Sequence, residues 1–159
     1  IKAALFTLMN AEEVIGHNII AYDIPALQKV YPNFEILGKV TDTLVLSRLV
    51  EANLAEKDQL RIAKDPSCFP KKLTGTHSLK AWGLRLGDYK DDYDGGWQSY
   101  SQEMLDYCIQ DTKVTKVLYE HCMAREFSDE SIKLSHSLAK ICFEIGNNGW
   151  TLDKKKAID

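Results

Sequence analysis

Two short apolar segments, each followed by a helix-forming stretch, constrain the fold of this chain most strongly. Residues 13–17 predict a buried strand, and residues 23–31 predict a helix with Asp23 as its N-cap. Residues 38–41 predict a second strand, and Asp42 is placed to cap the helix that follows it. Strands that alternate with helices predict an α/β domain, although two strands are fewer than a covered sheet needs.

The rest of the chain is predicted to be mainly helical. Residues 3–9 resemble the end of a helix, and a further helix is expected over residues 76–86. A capping box that starts at Ser99 predicts a helix lasting to about residue 125. The polar stretch from Ala55 to Thr74 predicts a long loop.

A last helix is predicted over residues 128–145, ended by the glycines and asparagines of residues 146–149. Its apolar residues share one face, which is expected to be buried. That face comprises Leu134, Leu138, Ile141, Cys142 and Ile145.

Charge is unevenly distributed along the sequence. The net charge of −3 over 159 residues gives no overall basic excess that would indicate nucleic acid. Residues 57–90, however, carry eight Lys or Arg against three Asp, and this patch either contacts phosphates or is a solvated face. The phosphate contacts proposed within or beside it are Lys71, Lys72, Lys80 and Arg85.

The four cysteines contain no C-x-x-C pair, which argues against a zinc site. Cys108 and Cys122 fall on apolar helical positions and are expected to be buried thiols in a reducing environment. No apolar run reaches membrane-spanning length, so no membrane contact is expected. These features favour a cytoplasmic protein.

Asp23 and Asp111 are the carboxylates most relevant to chemistry. A carboxylate at a strand-to-helix junction lies at the carboxyl end of a sheet, where α/β proteins place ligands. Taken alone, Asp23 is more simply explained as a helix cap, and Asn18 has a turn-forming explanation. Tyr107 and Asp111 are four residues apart, so they share one helical face. Solvent exposure of Asp111 is the alternative there.

Four segments occur in an order that resembles the proofreading 3′→5′ exonuclease domain of family A DNA polymerases, especially those of short-tailed phages. They are Gly-His-Asn-x-x-x-Tyr-Asp-x-Pro-Ala-Leu (16–27), Asp-Thr-Leu-Val-Leu-Ser-Arg-Leu (42–49), His-Ser-Leu-x-Ala-Trp-Gly-x-Arg-Leu-Gly (77–87) and Asp-Tyr-x-x-Gln-Asp-x-x-Val-Thr (106–115). Asn-Gly-Trp-x-Leu-Asp (148–153) also resembles the entry to the polymerase domain of that family.

The resemblance implies a ribonuclease H-like fold and hydrolysis of 3′-terminal nucleotides of single-stranded DNA by two Mg²⁺ ions, which Mn²⁺ can replace. Asp23 and Asp111 would be metal ligands, and Tyr107 would orient the attacking water. Asn18 and Tyr22 would contact the substrate. The implied partners are the DNA 3′ end and a polymerase domain of the same parent chain, placed in the cytoplasm of a host cell if a phage encodes it.

The chain departs from the family at its front, because the Asp-x-Glu motif that supplies two more carboxylates does not precede Asn18. The expected organisation is therefore an N-terminally incomplete exonuclease domain over residues 1–127. A connecting helix and the start of the polymerase region follow over residues 128–159. Missing strands would leave an open sheet edge, so self-association and weak activity are expected of the chain alone.

Two other functions fit the same residues. One is a stand-alone exonuclease acting on RNA, related to ribonuclease D. The other is a non-catalytic nucleic-acid-binding or structural module, which the absence of Asp-x-Glu favours.

Overall fold

The computed structural model describes residues 1–87, 93, 95–96, 98–152 and 156. Asp153, which ends the 148–153 segment, lies outside the described residues. The helices and strands follow in the order α1 (Lys2–Met9), β1 (Glu13–Gly16), α2 (Asp23–Val30), β2 (Lys39–Asp42), α3 (Thr43–Val50), α4 (Leu54–Lys64), α5 (Leu79–Leu86), α6 (Gln102–Met123) and α7 (Asp129–Asn148). A short 3₁₀ turn over Lys71–Leu73 separates α4 from α5.

The two strands form a small parallel sheet, with Glu13 opposite Lys39 and Gly16 opposite Asp42. Parallel neighbours need a crossover, and α2 lies within the connection that provides it. Because the strands are parallel and in register, Gly16 and Asp42 end at the same edge of the sheet. The fold is thus a helix-dominated α/β arrangement, which confirms the predicted class. Among the described residues, β1 pairs with β2 alone.

Two apolar clusters hold the helices and the sheet together. The larger one joins α3, α4, α5 and α6 through Leu46, Leu54, Trp82, Leu118 and Cys122. The smaller one lies beneath the segment between β1 and α2 and is built from Val14, Ile19 and Ile20. The second cluster fixes the part of the chain that leads to Asp23.

Helix α7 packs on α3 with a face that the sequence did not indicate. Its buried residue is His136. On either side of it, Ile132 packs against the larger apolar cluster and Ala139 packs against the smaller one. The apolar face predicted to be buried is exposed, from 71% at Leu134 to 47% at Ile145. The prediction of a helix here is confirmed, and the predicted orientation of its apolar face is wrong.

Two local predictions are also wrong. The expected loop over residues 55–74 contains α4, which begins at Leu54 and buries Asp58. The cap of α6 is Ser101, whose hydroxyl accepts a hydrogen bond from the Met104 N–H, and the box predicted at Ser99 lies two residues too early. Within the described residues, no helix combines the length and the apolar content needed to cross a membrane.

Candidate active site

A cavity of about 520 Å³ separates the β1–α2 segment from α6. Asp23 lines it on the α2 side, and Asp111 and Thr112 line it on the α6 side. Most of the remaining wall is apolar, with Val14 and Phe34 among its side chains. The two aspartates singled out in the sequence therefore face one shared space.

The turn after β1 sets the position of Asp23. Asn18 adopts a left-handed backbone conformation with φ of 61°, and its carbonyl accepts a hydrogen bond from the Tyr22 N–H at 3.0 Å. Asparagine tolerates this conformation better than most residues. Gly16 precedes the turn, where an added Cβ would lie 2.7 Å from the Cβ of Ile19. The residue types at this turn thus match the backbone that it requires.

Substitution of Asn18 tests this assignment. Asn18→Val is expected to lower the free energy of unfolding by about 1–2 kcal/mol, because a side chain branched at Cβ strains a left-handed backbone. Asn18→Gly is the matched control and should be close to the wild type. Urea unfolding of the purified proteins measures both values, and equal stability of the two variants would contradict the role of the backbone conformation.

Asp23 is the first residue of α2, and Tyr22 occupies the N-cap position without a side-chain capping bond. The prediction that Asp23 caps the helix is therefore wrong. Although the side chain is exposed overall, partial burial of its carboxyl group in the cavity wall raises the pKa of Asp23. The negative charge of Asp42 raises that pKa further.

The raised pKa predicts a pH-dependent effect of Asp23→Asn on stability. The carboxyl group of Asp23 keeps its proton to a higher pH in the native state than in the unfolded chain. The free energy of unfolding of the wild type therefore falls as the pH rises from the ordinary pKa of an aspartate through the raised native pKa. We expect equal melting temperatures at pH 3 and a higher one for the variant at pH 7. Thermal unfolding across this range tests it, with the exposed Asp106→Asn as control. A lower melting temperature of Asp23→Asn at pH 7 would contradict it.

Asp111 and Tyr107 lie one turn apart on α6, as the sequence predicted. Asp111 is half-buried, and its Oδ1 atom is buried. Tyr107 does not line the cavity, and its ring lies 5.6 Å from the ring of Tyr93 between centroids. Cys108 lines the cavity and is exposed, so its predicted burial is wrong, whereas Cys122 is buried as expected. Asp23 and Asp111 thus line one cavity, and Tyr107 lies one helical turn from Asp111 outside that lining.

The two residues expected to contact substrate lie at the edge of this arrangement. Asn18 is half-buried in the turn and does not line the cavity. Tyr22 is 69% exposed and also lies outside the lining. Sequence reasoning missed Thr115 and Lys116, which line the cavity one turn beyond Asp111 and follow from helical spacing.

Two carboxylates are the acidic groups that this cavity offers a metal ion. In the described part of the chain, no three His, Cys, Asp or Glu side chains cluster closely enough to hold one. Mg²⁺ takes oxygen ligands and often keeps several waters, so Asp23 and Asp111 suit part of such a site. Further ligands would have to come from elsewhere.

Arg85 is not available to a phosphate. Its side chain is 2% exposed and donates two hydrogen bonds to the Asp58 carboxylate, at 3.0 and 2.7 Å. Burial by itself would raise the pKa of Asp58, but the hydrogen bonds from Arg85 and the Gly75 N–H hold it below its ordinary value. The prediction of a phosphate contact is wrong for Arg85, while Lys71 and Lys72 are exposed.

Sequence reasoning also underestimated Asp42. It caps α3 as predicted, accepting a hydrogen bond from the Leu44 N–H at 2.9 Å. Its carboxylate additionally accepts hydrogen bonds from the Asn18 and Ile20 N–H groups, at 2.9 and 3.2 Å. The parallel register of β1 and β2, which the sequence did not predict, places Asp42 beside the end of β1 and so allows these contacts.

The sequence of the chain was compared with those of known proteins. No family model matches the chain. The DNA-directed DNA polymerase of Escherichia phage T7 is 33% identical over 186 aligned positions, which cover 89% of this chain and 26% of the polymerase. The DNA-directed DNA polymerase of Enterobacteria phage T3 matches with the same identity and coverage. The chain thus spans about a quarter of the length of these curated relatives. Along 89% of its length, the chain is therefore related to part of the DNA-directed DNA polymerases of phages T7 and T3.

Proposed function

We propose that this chain is the 3′→5′ exonuclease part of a phage-type DNA polymerase and has a ribonuclease H-like fold. The observation that supports it most is the cavity shared by Asp23 and Asp111, which come from two distant motifs. The relatives are DNA polymerases, and a polymerase that removes misincorporated nucleotides needs such a site. The substrate is the 3′ end of single-stranded DNA, and the polymerase domain of the same parent chain is the partner.

In this proposal, different residues of the chain have different roles in hydrolysis. Asp23 and Asp111 would hold Mg²⁺ together with further carboxylates from the parent chain, and Mn²⁺ would be able to replace it. Bound as a pair, these ions would supply an activated water and relieve the charge on the leaving 3′ oxygen. Tyr107 orients the attacking water from its place one turn before Asp111. Asn18 and Tyr22 contact the terminal nucleotide at the edge of the cavity.

The wall of the cavity suits a nucleotide. Its apolar side chains offer packing surface to a nucleobase, whose face is apolar in any sequence. Thr112 and Lys116 on α6 supply a hydroxyl and a positive charge for the sugar and phosphate. This combination supports the proposal, because it would hold a terminal nucleotide without reading the identity of its base.

A non-catalytic nucleic-acid-binding module is the second candidate. It is favoured by the composition of the cavity: Asp23 and Asp111 are its acidic lining residues, and within the described residues no three His, Cys, Asp or Glu side chains cluster closely enough to hold a metal ion. A stand-alone ribonuclease is less well supported, since both relatives are DNA-directed DNA polymerases.

One experiment separates these functions. The complete gene product that carries this chain is incubated with a 5′-labelled single-stranded DNA, or with RNA of the same sequence, in Mg²⁺, in Mn²⁺ and in EDTA. The proposal expects a ladder of DNA products shortened from the 3′ end in either metal, little cleavage of RNA and none in EDTA. Preferential cleavage of RNA would indicate the ribonuclease. Tight binding of DNA without cleavage in either metal would indicate the non-catalytic module.

A further inference from the structure

Asp42 holds the turn that carries Asp23, and its contacts exceed those of a helix cap. A cap needs one hydrogen bond from an amide near the helix start, which the Leu44 N–H provides. The bonds from Asn18 and Ile20 reach back 24 and 22 residues to the turn after β1. The Asp42 side chain is almost fully buried, at 1% exposure, so these bonds are shielded from water.

The turn is continuous with the start of α2. The Tyr22 N–H donates to the Asn18 carbonyl at 3.0 Å, and the Ile24 N–H donates to the Ile19 carbonyl at 3.1 Å. Asp23 lies between these two bonds, so a shift of the turn shifts its backbone. The carboxylate of Asp42 is therefore connected to the position of Asp23 by consecutive hydrogen bonds.

His136 of α7 fixes Asp42 from the other side. Its Nδ1 lies 2.8 Å from the Ile132 carbonyl, which can only accept, so Nδ1 carries the proton. Its Nε2 then accepts a hydrogen bond from the Asp42 N–H at 2.9 Å. The imidazole is 8% exposed, and it is the residue that α7 buries. Helix α7 is thus connected to Asp42 through the side chain of His136.

We propose that Asp42 and His136 are positioning residues for the nuclease site: Asp42 holds the 18–20 turn in place for Asp23, and His136 holds Asp42. This inference rests on the proposed exonuclease function for its effect on activity. Neither residue lines the cavity or contacts the reacting atoms. Besides the effect of the Asp42 charge on Asp23, the two residues act on geometry, where a displacement of about 1 Å can reduce a rate on the order of a hundredfold.

Variants of Asp42 distinguish its role in holding the turn from its role as the cap of α3. Asp42→Ser keeps a favoured N-cap oxygen for Leu44, but one hydroxyl cannot replace both carboxylate oxygens toward Asn18 and Ile20. Hydrogen exchange by mass spectrometry on the complete gene product is compared for residues 17–22 and residues 43–50. We expect exchange about tenfold faster in 17–22, little change in 43–50, and kcat for single-stranded DNA about a hundredfold lower at similar KM. Asp42→Asn, which keeps one acceptor oxygen, should be intermediate.

Variants of His136 test the second step. His136→Phe removes the acceptor and should speed exchange in 17–22 and lower kcat, whereas His136→Gln offers an amide oxygen to the Asp42 N–H and should restore part of both. His77→Phe is the matched control. It removes another imidazole that is hydrogen-bonded to α3, through Ser47 Oγ at 3.0 Å, and it is not connected to the turn.

The outcomes distinguish this inference from the proposed function. Unchanged exchange in 17–22 for Asp42→Ser and His136→Phe would overturn the inference, and so would faster exchange with wild-type kcat. Equal losses in His136→Gln and His136→Phe would overturn the role of the Asp42–His136 bond. A wild-type protein that cleaves neither DNA nor RNA would refute the proposed function, while the exchange data would still show whether the two residues hold the turn.

Discussion

Replacing Asp111 or Asp23 by alanine in the complete gene product is expected to abolish degradation of single-stranded DNA. Each change removes a proposed ligand of the metal ions, whose stabilisation of the transition state is worth several kcal/mol, so the rate should fall by about a thousandfold or more. Tyr107→Phe removes an orienting hydroxyl and no charge, and its effect should be smaller, about ten- to a hundredfold. Single-turnover cleavage of a labelled oligonucleotide in Mg²⁺ measures all three.

Asp106→Ala is the matched control for these variants. Asp106 is an exposed aspartate on the same helix, it does not line the cavity, and it accepts a hydrogen bond from Gln102 at the helix surface. Its variant should cleave DNA at the wild-type rate. Wild-type activity of Asp23→Ala or Asp111→Ala in Mg²⁺ would refute the assignment of the site.

The largest loss of stability is expected from Asp58→Ala. This change leaves Arg85 buried without its carboxylate, between the rings of Phe69 and Trp82, whose centroids lie 4.9 and 5.0 Å from its guanidinium carbon. Removing one partner of a buried ion pair costs about 3–5 kcal/mol. Unfolding in urea should show this loss as a lower midpoint.

Three further measurements test the ion pair. The double variant Asp58→Leu with Arg85→Met removes both charges and should recover much of the lost stability. Because the pKa of Asp58 is held below its ordinary value, its contribution is complete above the unfolded pKa and is lost as pH falls through the native one. Glu120→Ala, which breaks the exposed pair with Lys116, should cost under about 1 kcal/mol. A cost of the same size for Asp58→Ala would contradict the buried pair.

The helix α4 shows why part of the fold could not be predicted. Its sequence is polar, and one of its two buried residues is Asp58, so the apolar periodicity that identifies a helix is weak. The partner that makes this burial favourable, Arg85, lies 27 residues away and cannot be inferred from local sequence. The strands and the other helices were predictable because their apolar patterns or caps are local.

Helix α7 shows a second limit of sequence reasoning. Leu134, Leu138 and Ile145 give a clear apolar face, and burial of that face is the usual expectation. The chain instead buries the opposite side through His136, because one imidazole can satisfy the Asp42 N–H and the Ile132 carbonyl together. Periodicity identifies a helix, but it does not tell which face has a partner within the same chain.

The candidate site residues were singled out mainly because the segments that carry them resemble motifs of family A exonuclease domains. Local rules add only that Asp23 follows a strand and that Asp111 shares a helical face with Tyr107. The link from Asp42 to the turn was missed because a residue that caps a helix already has a sufficient local explanation. Hydrogen bonds between residues 22 and 24 positions apart cannot be inferred from the local sequence pattern.

The long separation between Asp42 and His136 has a consequence for how the protein is made. The two residues are 94 positions apart. A ribosome that adds about 5–20 residues per second needs about 5–20 s to pass from the first to the second. During that interval both strands and the turn have been synthesised, while the imidazole that anchors them has not. Ordering of the turn would therefore wait for translation of α7, and nascent chains that end before His136 should carry a turn that exchanges its amide hydrogens quickly.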